Sequence, residues 1–146
     1  MIAFFNKSRI GLLPMYVLLA ILISSVTSCS KDELEIQNDF PFELKVMPAP
    51  KEIANGNTVE IRLTIQPTGN YSNTQYFIRY FQFDGQGTLH YYDEPPYLPN
   101  DLYPLRAKQF RLYYTSGSTV SQSFDVWISD NFGNERQLSF EFNSSD

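Results

Sequence analysis

Cysteine, histidine and tryptophan each occur once in the 146 residues, as Cys29, His90 and Trp127. A lone cysteine excludes an intramolecular disulfide, so a packed core must hold the fold unaided. One histidine and one cysteine cannot assemble a zinc site, which needs several such ligands. A Ser-His-Asp relay would have to pass through His90, and a lone histidine at a strand end reads instead as a surface or hydrogen-bonded residue. Glycine is sparse, with 7 residues, and Gly85-Gln86-Gly87 is followed by no helix that could cradle a phosphate. Asp130-Asn131-Phe132-Gly133-Asn134 lacks the ligand spacing and terminal glutamate of a calcium loop and reads as a turn. No metal set and no cofactor motif is present. Lysine and arginine number 11 against 16 acids. That balance argues against direct nucleic-acid binding, which relies on cations to neutralise phosphates.

What the chain does contain begins with an address. Lys7 and Arg9 precede an uncharged apolar run from Leu12 to Val26, and Thr27-Ser28-Cys29 follows. This is the three-part plan of a secretory signal. The run is shorter than the ~20 residues that span a bilayer as a helix. V-T-S-C matches the lipobox of bacterial lipoprotein precursors, in which the cysteine thiol becomes a thioether to a diacylglyceryl group and cleavage falls before it. A thiol is the side chain nucleophilic enough for that step, and several acyl chains give an anchor where one would be marginal. Residues 1–28 are therefore read as a lipoprotein signal peptide and Cys29 as the lipidation site. The alternatives are a plain signal with a chance cysteine, or an uncleaved anchor helix. Removing 28 of 146 residues would leave 118, and losing Lys7 and Arg9 would move the net charge from −5 to −7.

Residues 29–39 are polar and acidic and read as a tether of at most ~35 Å when extended, unless Leu34 and Ile36 pair as a short strand. Residues 40–146 then show period-two alternation. Phe42, Leu44 and Val46 form a strand bracketed as an edge by Pro41, Pro48 and Pro50. Val59, Ile61, Leu63 and Ile65 form the clearest run. Tyr76 to Phe83 is aromatic on both faces, as in a central strand or one that meets a partner. Asp84 to Gly87 reads as a hairpin turn returning through Thr88 to Tyr92. Gln109 to Tyr114, Phe124 to Ile128 and Leu138 to Phe142 complete seven strands. Twelve Phe and ten Tyr supply the core. The pattern predicts an all-β, immunoglobulin-like two-sheet sandwich of about seven antiparallel strands.

The segment from Asp93 to Ala107 holds Pro95, Pro96, Pro99 and Pro104 and cannot be a helix or a central strand. Tyr91, Tyr92, Tyr97 and Tyr103 crowd around it. Flat rings beside acids can stack on sugars or anchor a protein; the alternative is that they cap one end of the core. Asp93, Glu94 and Asp101 would be the acids of a hydrolase, though loop carboxylates are usually just solvated.

Several segments carry a family resemblance: DFPFELKVMPAPKEI, FIRYFQFDGQGTL, YLPNDLYPL, FRLYYTS and VWISDNFGNERQLSFEF. With the signal, they resemble the TraQ family of conjugative transposon proteins of Bacteroides-type bacteria, a lipoprotein-like family with an immunoglobulin-like fold. The resemblance implies an envelope component in or near the mating apparatus. It implies no enzymatic activity and no catalytic or cofactor residues. Attachment would run through lipid on Cys29, most naturally at the outer membrane with its facing left open, and the partners would be other envelope proteins of the conjugation apparatus. The competing reading is a surface glycan-binding sandwich. For the anchor, Cys29→Ala should abolish lipid incorporation, seen by mass and by acyl labelling. Unchanged membrane fractionation with an uncleaved mass would instead establish an anchor helix.

Overall fold

Strict alternation of apolar and polar side chains places one face of each strand inside and the other in water. In a computed structural model, which describes residues 37–146, this pattern produces nine strands and no helix among the described residues. They are β1 (Phe42–Val46), β2 (Glu52–Ile53), β3 (Thr58–Pro67), β4 (Tyr76–Asp84), β5 (Gly87–Tyr91), β6 (Tyr103–Leu105), β7 (Gln109–Ser116), β8 (Gln122–Asp130) and β9 (Glu135–Ser144). The signal, Cys29, the tether up to Ile36 and the possible strand through Leu34 and Ile36 lie outside the described residues. Asp39, at the end of the tether, accepts a hydrogen bond from Asn134 Nδ2 at 2.6 Å.

One sheet has the order β1-β3-β7-β5 and the other β2-β9-β8-β4-β6. Without β2 and β6, these are the ABED and GFC orders of an immunoglobulin domain. The expected seven strands are all present, and two short ones were not foreseen. β2 pairs with the end of β9 in parallel, Glu52 opposite Asn143, so the sandwich is not wholly antiparallel. β6 lies inside the proline-rich segment and pairs with β4 as an edge. Asn100 N–H donates to the Tyr80 carbonyl. By alternation Tyr76 and Ile78 also point their backbone groups at β6, and Pro104, opposite Phe77, has its missing N–H directed away from the sheet. That is a position proline tolerates.

The hairpin expected at Asp84–Gly87 does not form. β5 pairs with β7 in the other sheet, because both sides of β4 are already occupied by β8 and β6. A register shift between Gln82 and Asp84 and a left-handed Gly85, φ 68°, turn the chain over the end of the sandwich instead. The Asp130–Asn134 turn, by contrast, does join a hairpin, β8 to β9. Asp130 Oδ1 accepts the N–H groups of Phe132 and Asn134, both at 2.9 Å.

The two inner faces meet in an aromatic cluster. Tyr114 of β7 stacks on Phe124 of β8, centroids 4.4 Å apart, and on Phe142 of β9 at 5.6 Å. Its hydroxyl is fully buried and sits in a relay that crosses the sheets. Tyr80 donates to Gln82 Oε1 at 2.6 Å, and Gln82 Nε2 donates to Tyr114 at 2.8 Å. Tyr114 donates to Gln122 Oε1 at 2.7 Å, and Gln122 Nε2 donates to Ser116 Oγ at 2.8 Å. Tyr114→Phe keeps the ring but leaves the buried Gln122 Oε1 without its donor, while half-buried Gln82 loses one bond and keeps those to Tyr80 and Asp84. The substitution should cost about 1–3 kcal/mol, against about 3–5 kcal/mol for Phe124→Ala, both measured by denaturant unfolding.

Candidate functional site

The proline-rich segment leaves β5 at the edge of one sheet and reaches β6 at the edge of the other, so it closes one side of the sandwich. Its attachments are specific. Tyr97 N–H donates to the Leu89 carbonyl at 2.8 Å, and Leu98 N–H donates to the Tyr103 hydroxyl at 3.0 Å. The four tyrosines separate accordingly. Tyr97 is buried in the core, and Tyr103 stacks on it with centroids 4.5 Å apart. Tyr91 is half-buried against Phe110. Tyr92 alone is exposed, at 39 % of its surface, and carries a positive φ of 46°. Burial pushes the Tyr97 phenol well above its ordinary pKa, with Glu94 nearby adding to the rise. Burial likewise raises Tyr91, helped by Tyr92 and Glu94. Three of the four rings therefore cap the core, and Tyr92 is the one open to a ligand.

The acids of the segment are not assembled as a pair. Glu94 forms an ion pair with Arg106 at 3.1 Å, while Asp93 and Asp101 are exposed. His90 Nδ1–H donates to the Tyr92 carbonyl at 2.5 Å, and its ring stacks on Tyr113 at 5.6 Å. The imidazole thus serves the local backbone. Among the described residues no group of three or more His, Cys, Asp or Glu is placed to hold a metal ion.

A different surface stands out once the sheets are formed. On the outer face of the β1-β3-β7-β5 sheet the strands present polar side chains: Glu60, Arg62, Arg111 and Tyr113. Arg62 is hydrogen-bonded to Glu60, Arg111 approaches it at 3.4 Å, and the Tyr113 hydroxyl donates to it at 3.1 Å. These donors, the Arg62 bond foremost, hold the Glu60 carboxyl below the usual range. On the outer face of the other sheet an aromatic strip runs along β4 and reaches Trp127, amid polar outward positions on β8 and β9. β4 contributes Phe77, Phe81 and Phe83, and β8 contributes Trp127. Phe83 is 56 % exposed and packs edge-on against Phe81 at 5.0 Å. Arg79 lies over the Trp127 ring, 4.3 Å from its centroid. The signal for this face was the two-sided aromatic character of Tyr76 to Phe83. Trp127 was not recognisable in advance as part of it, because its position depends on β8 pairing with β4.

Comparisons with known proteins agree with this fold. A family model described as TraQ conjugal transfer protein matches residues 12–145. A conjugative transposon lipoprotein from Bacteroides eggerthii, known from a crystal structure, is 45 % identical. The match has a TM-score of 0.67 and covers 72 % of this chain and 99 % of that one. A lipoprotein from Bacteroides thetaiotaomicron, solved by NMR, is 51 % identical over 77 % of this chain and 86 % of its own, with a TM-score of 0.66. A conjugate transposon protein from Bacteroides vulgatus is 49 % identical over 77 % and 91 %, with a TM-score of 0.65. Comparison with curated proteins gives no match.

The burial of the tyrosines sets a pH dependence. A phenol whose pKa is higher folded than unfolded stabilises the fold fully below the unfolded value of ~10 and loses that contribution as pH rises above it. Tyr97→Phe removes this linkage and should move the alkaline unfolding midpoint upward. Tyr92→Phe, at an exposed ring, should leave it in place. Phenolate absorbance followed together with circular dichroism reads both.

Proposed function

The chain belongs to the TraQ conjugal transfer protein family, and from that membership we propose that it is a non-enzymatic lipoprotein of the envelope. In this reading it serves the transfer of a conjugative transposon by binding other envelope proteins of the mating apparatus. The observation that carries the proposal is the family match, which runs from within the signal-like segment to the end of β9. The domain supports it. Its one histidine serves the local backbone, its loop acids are exposed or ion-paired, and its distinctive surface is a flat aromatic sheet face rather than a cleft with convergent polar groups. Lipid on Cys29 would hold the domain at the membrane, most naturally the outer membrane, since an acidic protein gains nothing from anionic headgroups. A glycan-binding role rests on the tyrosine cluster, of which Tyr92 alone is exposed.

A donor whose element lacks only this reading frame should transfer at a strongly reduced frequency, restored by the gene supplied in trans. Cys29→Ala supplied in the same way should fail to restore it. Undiminished transfer from the deletion would overturn the proposal.

A further inference from the structure

We propose that the outer face of the β6-β4-β8-β9 sheet is the docking surface through which this protein holds a partner in the transfer apparatus, and that the partner's contact surface is a basic protein patch. The inference rests on the transfer role proposed above and adds the site and the chemistry of what it binds.

The outward positions of a sandwich strand are ordinarily polar, because they meet water. The domain follows that rule on one sheet and, on the other, along β8 and β9 except at Trp127, but β4 breaks it. Phe77, Phe81 and Phe83 succeed one another along β4, and the register sets Arg79 opposite Trp127 and Phe81 opposite Asp125. Pro104 of β6 lies opposite Phe77 and extends the apolar strip toward the edge. Of these rings Phe83 is exposed, while Phe77, Phe81 and Trp127 are half-buried, Trp127 beneath Arg79. Three strands about 4.8 Å apart and roughly nine residues long, with the three-residue β6 at their edge, make a face on the order of 400 Å². That is about half of the ~800 Å² each partner contributes to a standard protein interface.

Charge selects the occupant. Asp84, Asp125, Glu135 and Glu141 lie on or around this face. Asp84 is placed there by its bond from Ser123 Oγ at 2.9 Å, and Asp125 accepts from Gln137 across the β8–β9 pair at 2.5 Å. Arg79 is the one cation on the outward strand positions, and it is already engaged with Trp127 and, at 3.9 Å, with Glu135. The four acids outnumber Arg79 together with Arg106 and Lys108 at the β6 edge beside Phe77 and Pro104, so the face disfavours an anionic lipid or polymer. It also disfavours a second copy of this chain, because a two-fold contact would set the same acids against each other. It attracts lysine and arginine. The exposed Phe83 ring beside carboxylates can take such cations by cation–π contact as well as by ion pairing. Trp127 under Arg79 supplies a pre-ordered pair of the residue types that dominate binding energy at interface centres.

The test uses the full-length, membrane-anchored chain in donor cells during mating. A benzophenone amino acid is placed at Phe81, and as control at Gln66 on the outer face of the opposite sheet. The expected result is one protein adduct from Phe81, none from Gln66, and a crosslinked peptide rich in lysine or arginine. Asp125→Lys combined with Glu141→Lys leaves the core untouched. It should reduce both the adduct and the transfer frequency by roughly tenfold or more, as the loss of interface-centre contacts does, with normal accumulation of the protein. The inference is overturned by an adduct between two copies of this chain, an equal adduct from Gln66, a glycan or lipid adduct in place of a protein, or charge reversals that change nothing. Deletion of the reading frame in the same strain separates the two levels. If deletion lowers transfer while the reversals do not, the docking face falls and the transfer role stands. If deletion costs no transfer, the role itself falls.

Discussion

Tyr114 joins the two sheets. The chain's single cysteine permits no disulfide within it, so the distance between the sheets is set by packing. The central contact is this ring from β7 stacked on Phe124 and Phe142 from the opposite sheet. Its hydroxyl reaches Gln82 and Gln122 of that sheet, so the same residue supplies apolar burial and a directional lock. A buried polar relay of this kind rigidifies a core only when every member is partnered, and no buried side-chain nitrogen or oxygen among the described residues is left without a partner. The neighbouring backbone is constrained to fit. A side chain at Gly87 would place a Cβ 2.3 Å from the Tyr114 hydroxyl, so the strand that crosses there has to be bare.

Two consequences follow from that central lock. The links from β4 to β5 and from β7 to β8 both cross between sheets close to it, which fixes the order of strands on each side. The proline-rich segment then spans the open flank from β5 to β6 and uses Tyr97 and Tyr103 as its packing. Proline suits this segment because a stiff loop loses less entropy on being fixed. Tyr97, Tyr103 and Tyr91 are therefore packed against the core, and Tyr92 is left exposed.

The two outer faces come from the same kind of alternating strand, yet one is laced by ion pairs around Glu60 and the other carries aromatic rings along β4 with Trp127 beside them. In the proposed reading, an acidic domain with an aromatic strip set among carboxylates is suited to meet cationic protein surfaces and to repel phosphate-bearing polymers.

Alternation made seven strands legible from residues alone, because side-chain period is a local property that water imposes on each strand separately. The edge character of β1 was readable from its flanking prolines, and the family from its recurrent segments. The partner of each strand was not, because pairing joins residues far apart in the chain. For that reason the Asp84–Gly87 turn looks like a hairpin but crosses the sandwich. β2, with two residues, and β6, with three, carry too short a pattern to show a period and exist only because β9 and β4 offer them an edge. Whether Tyr97 or Tyr92 faces water could not be read locally either, since a tyrosine suits core and surface equally well. The sequence by itself determined seven of the nine described strands, the inside and outside of each, and the acidic charge. Tertiary structure alone decided which strands share a sheet. Through that it brought Phe77, Phe81 and Phe83 beside Trp127 on one face and drew Tyr97 and Tyr103 into the core, because adjacency across a sheet is set by long-range hydrogen bonding and packing.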